Sequence, residues 1–149
     1  MATGTSNGDE DQPRYPSPPS GTMPASSVTG PDGRRIDLVG VARAACNAYV
    51  QEFPEYAERF GPPGMQWCVH DNQHILTWAI TRHSNDLFEH ELAWLARVLE
   101  ARGFPLESLG RGIELLASSF AEAHPDLEAV AERLGYGAAF VRSRPSFFS

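Results

Sequence analysis

Apolar residues recur at helical spacing from about residue 37 almost to the end of the chain, and no segment alternates with the period of a strand. The spacing predicts four main helices, over residues 37–53, 65–83, 86–102 and 105–123. It also predicts two short helices, over residues 54–60 and 126–134. We therefore expect an all-α fold, a helical bundle of four main helices plus two short ones, with a globin-like arrangement as a variant.

Helix boundaries are marked by residues that suit the ends of helices. Asp37 is a suitable N-cap for the first helix, and Ser84 or Asn85 for the third main helix. The sequence GPPG at residues 61–64 is typical of a turn, which separates the first short helix from the second main helix. Gly103 and Gly135 each follow a predicted helix, where a glycine commonly ends it.

Composition divides the chain into three parts. Residues 1–35 are rich in proline, glycine and serine and poor in large aliphatic residues. Such a segment cannot bury enough apolar surface to offset the entropy of ordering it, so we predict a disordered arm. The helical domain is expected over residues 36–135, with a C-terminal tail over residues 136–149.

Charge and hydropathy exclude some partners. The net charge is −7, and the basic residues, all arginine, are dispersed rather than gathered on a stripe, which argues against nucleic-acid binding. No apolar run approaches the roughly 18 residues of a membrane span. The N-terminus is polar and acidic, unlike a signal peptide, so we expect a cytoplasmic protein. Cys46 and Cys68 are then expected to be reduced thiols, although they could be neighbours on packed helices.

The second and third main helices are predicted to form an antiparallel hairpin that holds all three tryptophans. Asn72 falls within an apolar arc and therefore requires a buried hydrogen-bond partner. Glu91 lies in the middle of an apolar face, so it should pair with Arg82 or His83, or have a raised pKa. Polar groups among aromatic residues are also typical of a ligand pocket between helices. The candidate pocket residues are Trp67, Asp71, Asn72, His74, Trp78, Glu91 and Trp94.

Templates for catalysis and metal binding are incomplete in this sequence. Asp71 and His74 form one D-x-x-H pair, whereas a di-iron bundle needs two such pairs and further carboxylates. We expect Asp71 instead to form hydrogen bonds within the bundle. His90 and Glu91 begin like a zinc-protease motif, but Trp94 occupies the position of the second histidine. Neither a nucleophile elbow nor a phosphate-binding loop occurs, so we predict a protein that is not an enzyme and has no metal site.

A W-C-x-x-D sequence in the second helix is followed by a longer pattern of aromatic and aliphatic residues. This pattern resembles the helical segment that precedes the cobalamin-binding domain of bacterial regulators. The helix lengths are more loosely similar to those of the non-haem globin sensor domains of stressosome proteins. In light-sensing cobalamin regulators a tryptophan and a Glu-His pair cap the cofactor, and here Trp78 and Glu89-His90 are one residue further apart. The residues that carry the resemblance are Trp67, Cys68, Asp71, Phe88, Trp94, Leu95, Leu99, Arg102, Gly103 and Pro105.

These patterns and the resemblance together predict a non-enzymatic regulatory or sensory module of a bacterial protein. It would act through a protein partner or as a homodimer, with a small ligand between the second and third main helices and no resident cofactor. The alternative is a metal- or tetrapyrrole-binding helical protein, with cobalamin or haem as the ligand, centred on Asp71, His74, Glu89 and His90. The sequence does not identify the partner, the signal or the oligomeric state.

Overall fold

The computed structural model describes residues 23–148, and five helices follow a small two-stranded sheet within them. The predicted helical bundle is confirmed, with the sheet as an addition. The elements are β1 (Ser27–Thr29), β2 (Arg35–Asp37), α1 (Val39–Glu52), α2 (Pro54–Thr81), α3 (Asn85–Ala101), α4 (Leu106–Ala123) and α5 (Glu128–Arg142).

Strands β1 and β2 form an antiparallel hairpin in which Val28 pairs with Ile36. Ile36 is buried in the main core, and Gly33 takes a positive φ of 86° in the connection between the strands. The side chain of Gln73 on α2 donates a hydrogen bond to the backbone carbonyl of Ala25 (2.9 Å) and holds the hairpin against the bundle. Residues 23–35 therefore belong to the fold, and the prediction of a disordered arm is wrong for them. The rest of that prediction, residues 1–22, lies outside the described residues.

Helix α2 combines a predicted short helix and a predicted main helix. Gly61 is the point where they join, with a φ of 61° and a ψ of −156°, and the chain is helical on both sides of it. Pro62 and Pro63 follow directly, at positions of the second segment where a helix has no need of their missing N–H groups. The predicted turn is thus a kink at one residue, which directs residues 54–60 away from the axis of residues 62–81.

Three predicted helix boundaries are confirmed in chemical detail. The Asp37 carboxylate accepts a hydrogen bond from the backbone N–H of Gly40 (2.9 Å) at the start of α1. The hydroxyl of Ser84 accepts one from the backbone N–H of Leu87 (3.2 Å) at the start of α3. Gly103 follows α3 with a φ of 81°, the left-handed conformation that ends many helices.

Helix α5 continues beyond Gly135, where the sequence predicted its end, and stops only at Arg142. A Cβ atom on Gly137 would lie 2.7 Å from Leu92 Cδ1, so the glycine allows α5 to approach α3 closely. After the helix, Phe147 is buried, and its backbone N–H donates to Glu100 Oε1 (2.9 Å). Residues 136–148 are therefore packed on the bundle rather than forming a separate tail.

Helix α4 packs extensively against α1 and α5, and α2 packs against α1. Helices α2 and α3 run antiparallel, as predicted, but they touch each other only sparsely. The Arg102 guanidinium lies over the ring of Trp67 at one end of the pair, and Arg82 pairs with Glu91 at the other. We call the boundary between the two helices the seam. The largest fully buried side chains of the core include Leu38, Leu76, Phe88, Leu92, Leu116, Phe120 and Leu134.

Cys46 on α1 and Cys68 on α2 form a disulfide, with their Cα atoms 6.2 Å apart. The expectation of two reduced thiols is therefore wrong. The sequence had placed both residues on helices, but the choice of thiols rested on the expected cellular compartment and not on geometry. The bond joins α1 covalently to the second segment of α2.

We predict that the disulfide stabilises the fold by restricting the unfolded chain. The cysteines are 22 residues apart, and closing a loop of this size contributes about 3 kcal/mol to the free energy of unfolding. Urea denaturation with and without reductant measures the difference. The Cys46→Ala, Cys68→Ala double variant is the control, because reductant cannot affect it. Labelling of both thiols by maleimide in denatured, unreduced protein would contradict the prediction.

Candidate functional site

A cavity lies where α1, the second segment of α2 and α4 meet the end of α3. About 50 Å³ of it is open to the centre of a water molecule, which is room for about three to five waters or a compact ligand. Its walls are largely apolar, with Ala45, Ile75, Leu109 and Ile113 among them. Such a site, apolar with a few directed polar groups, is typical of small-molecule binding.

Asp71 on α2 provides the acidic group of the cavity. The side chain is partly buried as a whole, but its Oδ1 atom is enclosed and has no hydrogen-bond partner. This differs from the expectation that Asp71 forms hydrogen bonds within the bundle. Burial raises the pKa of Asp71 to about 8, and the positive charge of Arg102 opposes the shift. The carboxyl group is therefore mostly protonated at neutral pH.

Trp67 lies one helical turn before Asp71 and lines the same cavity. Its ring is 8% exposed, and its indole Nε1–H is buried without an acceptor. The guanidinium of Arg102 lies over the ring, 5.1 Å from the centroid. One arginine at the end of α3 thus contacts Trp67 and acts electrostatically on Asp71, while a donor and an acceptor in the cavity remain unpaired.

Three further aromatic rings complete the wall near Asp71. Tyr49 and Tyr56 meet edge to face with centroids 5.4 Å apart, and Tyr56 meets Phe104 in the same way at 6.2 Å. The Tyr56 hydroxyl donates to the backbone carbonyl of Gly64 (3.1 Å). Burial raises the pKa of both tyrosines, and the nearby Asp71 raises that of Tyr56 further. Both phenols are therefore neutral in the physiological range.

The cavity connects to a wider surface groove, with which it shares Tyr49, Tyr56, Trp67, Phe104 and Ser108. The outer part of the groove carries the charged side chains, including Arg102. A ligand reaching Asp71 from this groove would pass the aromatic rings. The cavity therefore holds apolar surface and one carboxyl group, and the other charged side chains line the groove.

Asn72 forms part of the cavity wall and is buried, as the sequence predicted. Its side-chain amide donates to the backbone carbonyl of Cys68 (2.9 Å) and lies 3.2 Å from the sulfur of Cys46. The predicted requirement for a buried partner is thus met. Asn72 spans the disulfide, so its role in the site is to hold α1 against α2.

The other four candidate residues lie at the opposite end of the seam. His74, Trp78, Glu91 and Trp94 line a shallow surface hollow, and none of them lines the cavity. The rings of His74 and Trp78 are stacked with centroids 5.9 Å apart. The predicted set of seven therefore divides into two places, and Asp71 and His74 do not share a site. No group of three or more potential metal ligands occurs among residues 23–148.

Glu91 pairs with Arg82, one of the two partners predicted for it, at 3.6 Å. Both side chains are about one-third exposed, so the carboxylate is not desolvated as its position in the sequence had indicated. The pair closes the outer end of the seam.

Sequence reasoning missed Tyr49, Tyr56, Arg102, Phe104 and Ser108 as site residues. Tyr49 falls within the first predicted main helix and Tyr56 within the first predicted short helix, and no pattern distinguished either of them. Tyr56 lies before the kink at Gly61, so its position relative to Trp67 depends on that kink. Arg102 was named only as part of the resemblance.

Comparison with known proteins gives no match to a family model, a curated protein or a solved structure. The resemblance to the helical segment of cobalamin-dependent regulators therefore stays a prediction. No helix among the described residues is long and apolar enough to cross a membrane.

We predict that Asp71→Asn makes the protein more stable than the wild type, increasingly so from about pH 5 to pH 8. The folded-state pKa of about 8 exceeds the unfolded value of about 3.9, so the folded protein keeps a proton that the unfolded chain releases. Its free energy of unfolding then falls by up to about 1.4 kcal/mol per pH unit in this window. Asparagine does not titrate and removes this dependence.

Urea denaturation across the pH range measures the difference between the two proteins. Asp86→Asn is the matched control, since Asp86 is exposed in the first turn of α3. A wild-type to Asp71→Asn difference that is constant with pH would contradict the assignment of a proton to Asp71.

For Glu91 we predict a small effect, because its partner is partly exposed and a surface ion pair contributes up to about 1 kcal/mol. Glu91→Gln should change the free energy of unfolding by no more than this amount. A double-mutant cycle with Arg82→Gln gives the energy of the pair itself. A coupling of about 3 kcal/mol or more would show instead that Glu91 is a buried structural anchor.

Proposed function

We propose that this chain is a non-enzymatic sensory module that binds a compact small molecule in the Trp67–Asp71 cavity. The observation that carries the proposal is that Trp67 and Asp71 line one cavity, and that each has a buried polar atom, Nε1 and Oδ1, with no partner in the protein. Each unsatisfied buried group costs about 1–3 kcal/mol. A ligand that accepts from the indole and donates to the carboxyl would recover this energy.

The position of the cavity supports a sensory role. Residues from α1, α2 and α4 and from the segment after α3 line it, so an occupant touches most of the bundle at once. Phe104, in the segment after α3, is the part of the wall that the Cys46–Cys68 disulfide does not hold. Ligand binding would then alter how α3 lies on the bundle. We propose that a protein partner or a second copy of the chain responds to this change.

The size of the cavity favours a compact ligand over a tetrapyrrole. Pockets for drug-sized ligands have volumes of about 300–1,000 Å³, well above the space available beside Asp71. An absorption spectrum of protein purified from cells supplied with cobalamin and iron tests this choice directly. A stoichiometric chromophore that is lost in His74→Ala and His90→Ala would support the tetrapyrrole alternative instead.

A cytoplasmic location stays a prediction. The argument from reduced thiols no longer supports it, because the two cysteines form a disulfide. Disulfides persist mainly in oxidising compartments, so fractionation of tagged protein is the appropriate measurement.

The binding proposal predicts that two neutral probes, tert-butanol and isobutyramide, bind in the cavity. Ligand-observed NMR measures their affinity for the wild type, Trp67→Phe and Trp94→Phe. Trp67→Phe keeps an aromatic ring but removes the Nε1–H donor, so affinity should fall about three- to tenfold. Trp94→Phe is the matched control, because Trp94 lines the distant hollow and should bind as the wild type does.

Absence of binding by both probes, or equal affinity in Trp67→Phe and the wild type, would overturn the proposed site. Light scattering of the free protein and of the probe-saturated protein tests the output. A monomer in both states leaves the partner, rather than a homodimer, as the receiver of the signal.

A further inference from the structure

The chemistry of the cavity wall narrows the class of ligand, an inference that rests on the proposed function. Asp71 is the only residue of acidic or basic type, tyrosines apart, that lines the cavity, and both cysteines are joined in the disulfide. Its Oδ1 has no donor from the protein. Asp71 therefore brings an unpaired acceptor to the cavity wall, and Arg102, the cation that acts on it electrostatically, does not line the cavity.

The rings around Asp71 suit a cation. Tyr49, Tyr56 and Phe104 are mutually in contact, with centroid separations of 5.4 to 6.5 Å, and all three line the cavity together with Trp67. Aromatic faces carry negative charge density and attract ammonium groups. Trp67 already does this towards the groove, where the Arg102 guanidinium lies 5.1 Å from its ring centroid.

We propose that the cavity binds a compact organic ammonium ion, whose N–H groups donate to Asp71 Oδ1 and whose charge lies against these aromatic rings. A hydroxyl or ether oxygen on the same molecule would accept the Trp67 Nε1–H. When the ammonium ion binds, Asp71 releases its proton to solvent, and the ammonium ion pairs with the resulting carboxylate. The net charge of the cavity is then unchanged.

The groups that face Asp71 determine the dependence on pH. Tyr56 comes from the first segment of α2, Tyr49 from α1 and Arg102 from the end of α3, while α4 contributes Ser108 and no charged residue to the wall. Both phenols stay neutral below pH 9 because burial raises their pKa. Asp71 is thus the group whose ionisation controls the affinity of a cation.

The test compares tert-butylammonium with tert-butanol, which have the same shape and differ in charge. In a Trp78→Phe, Trp94→Phe background, Trp67 is the only tryptophan of the chain, and its fluorescence reports occupancy of the cavity. At about pH 8.5 the ammonium ion should bind about tenfold or more tightly than the alcohol. Its affinity should fall about tenfold for each pH unit below the pKa of Asp71, while that of the alcohol stays level.

Adding Asp71→Asn to this background should make the two probes bind with equal affinity at every pH, because it removes both the preference for the cation and its dependence on pH. Equal binding of the two probes to the parent at about pH 8.5 would overturn the inference and leave the proposed function standing. Binding of neither probe would overturn both. A cation preference that persists in Asp71→Asn would also overturn the inference, because the charge would then be recognised elsewhere.

Discussion

Burial of the Asp71 carboxyl group is energetically unfavourable, and the residues at this end of the bundle are arranged around it. An ionised carboxylate in an apolar cavity is unfavourable by several kcal/mol unless it is paired. Protonation of the carboxyl group and the positive charge of Arg102 both reduce this unfavourable energy. The protein donates no hydrogen bond to Asp71 Oδ1. A structural role would be served better by a direct pair, such as Arg82 with Glu91 in the same seam. The unpaired Oδ1 of Asp71 therefore does not add to the stability of the fold.

The wall on the side of α1 is fixed, which allows such a polar group to be kept in place. The disulfide joins Cys46 to Cys68, and Asn72 donates to the backbone of Cys68 beside it. Tyr49 from α1 contacts Tyr56 edge to face across the same junction. A rigid wall reduces the entropy that a ligand would lose by ordering its site.

The sequence predicted those parts of the structure that depend on neighbours along the chain. Helical spacing located the helices, and Asp37, Ser84 and Gly103 act at their ends as their chemistry requires. The predictions that failed concern features that depend on tertiary contacts. Three-residue strands are too short to show a period, and the predicted end at Gly135 was overridden because α5 gains contacts with α3 and α4 by continuing. Trp67 and Asp71 were predicted as site residues because polar groups lie among aromatic residues there. Tyr49 lies on α1 and Tyr56 lies before the kink at Gly61, so no local pattern placed them in the same site.

The two ends of the α2–α3 seam show why residue type alone identifies a site poorly. The outer end holds histidines and tryptophans, which attract attention in a sequence, yet its carboxylate at Glu91 has a partner and solvent beside it. The inner end holds one aspartate, which satisfied no metal template. Only the inner end combines enclosure, an apolar wall and unpaired hydrogen-bonding atoms. A ligand can be recognised only by hydrogen-bonding groups that the protein leaves unpaired, which is why we propose the inner end as the place of a ligand.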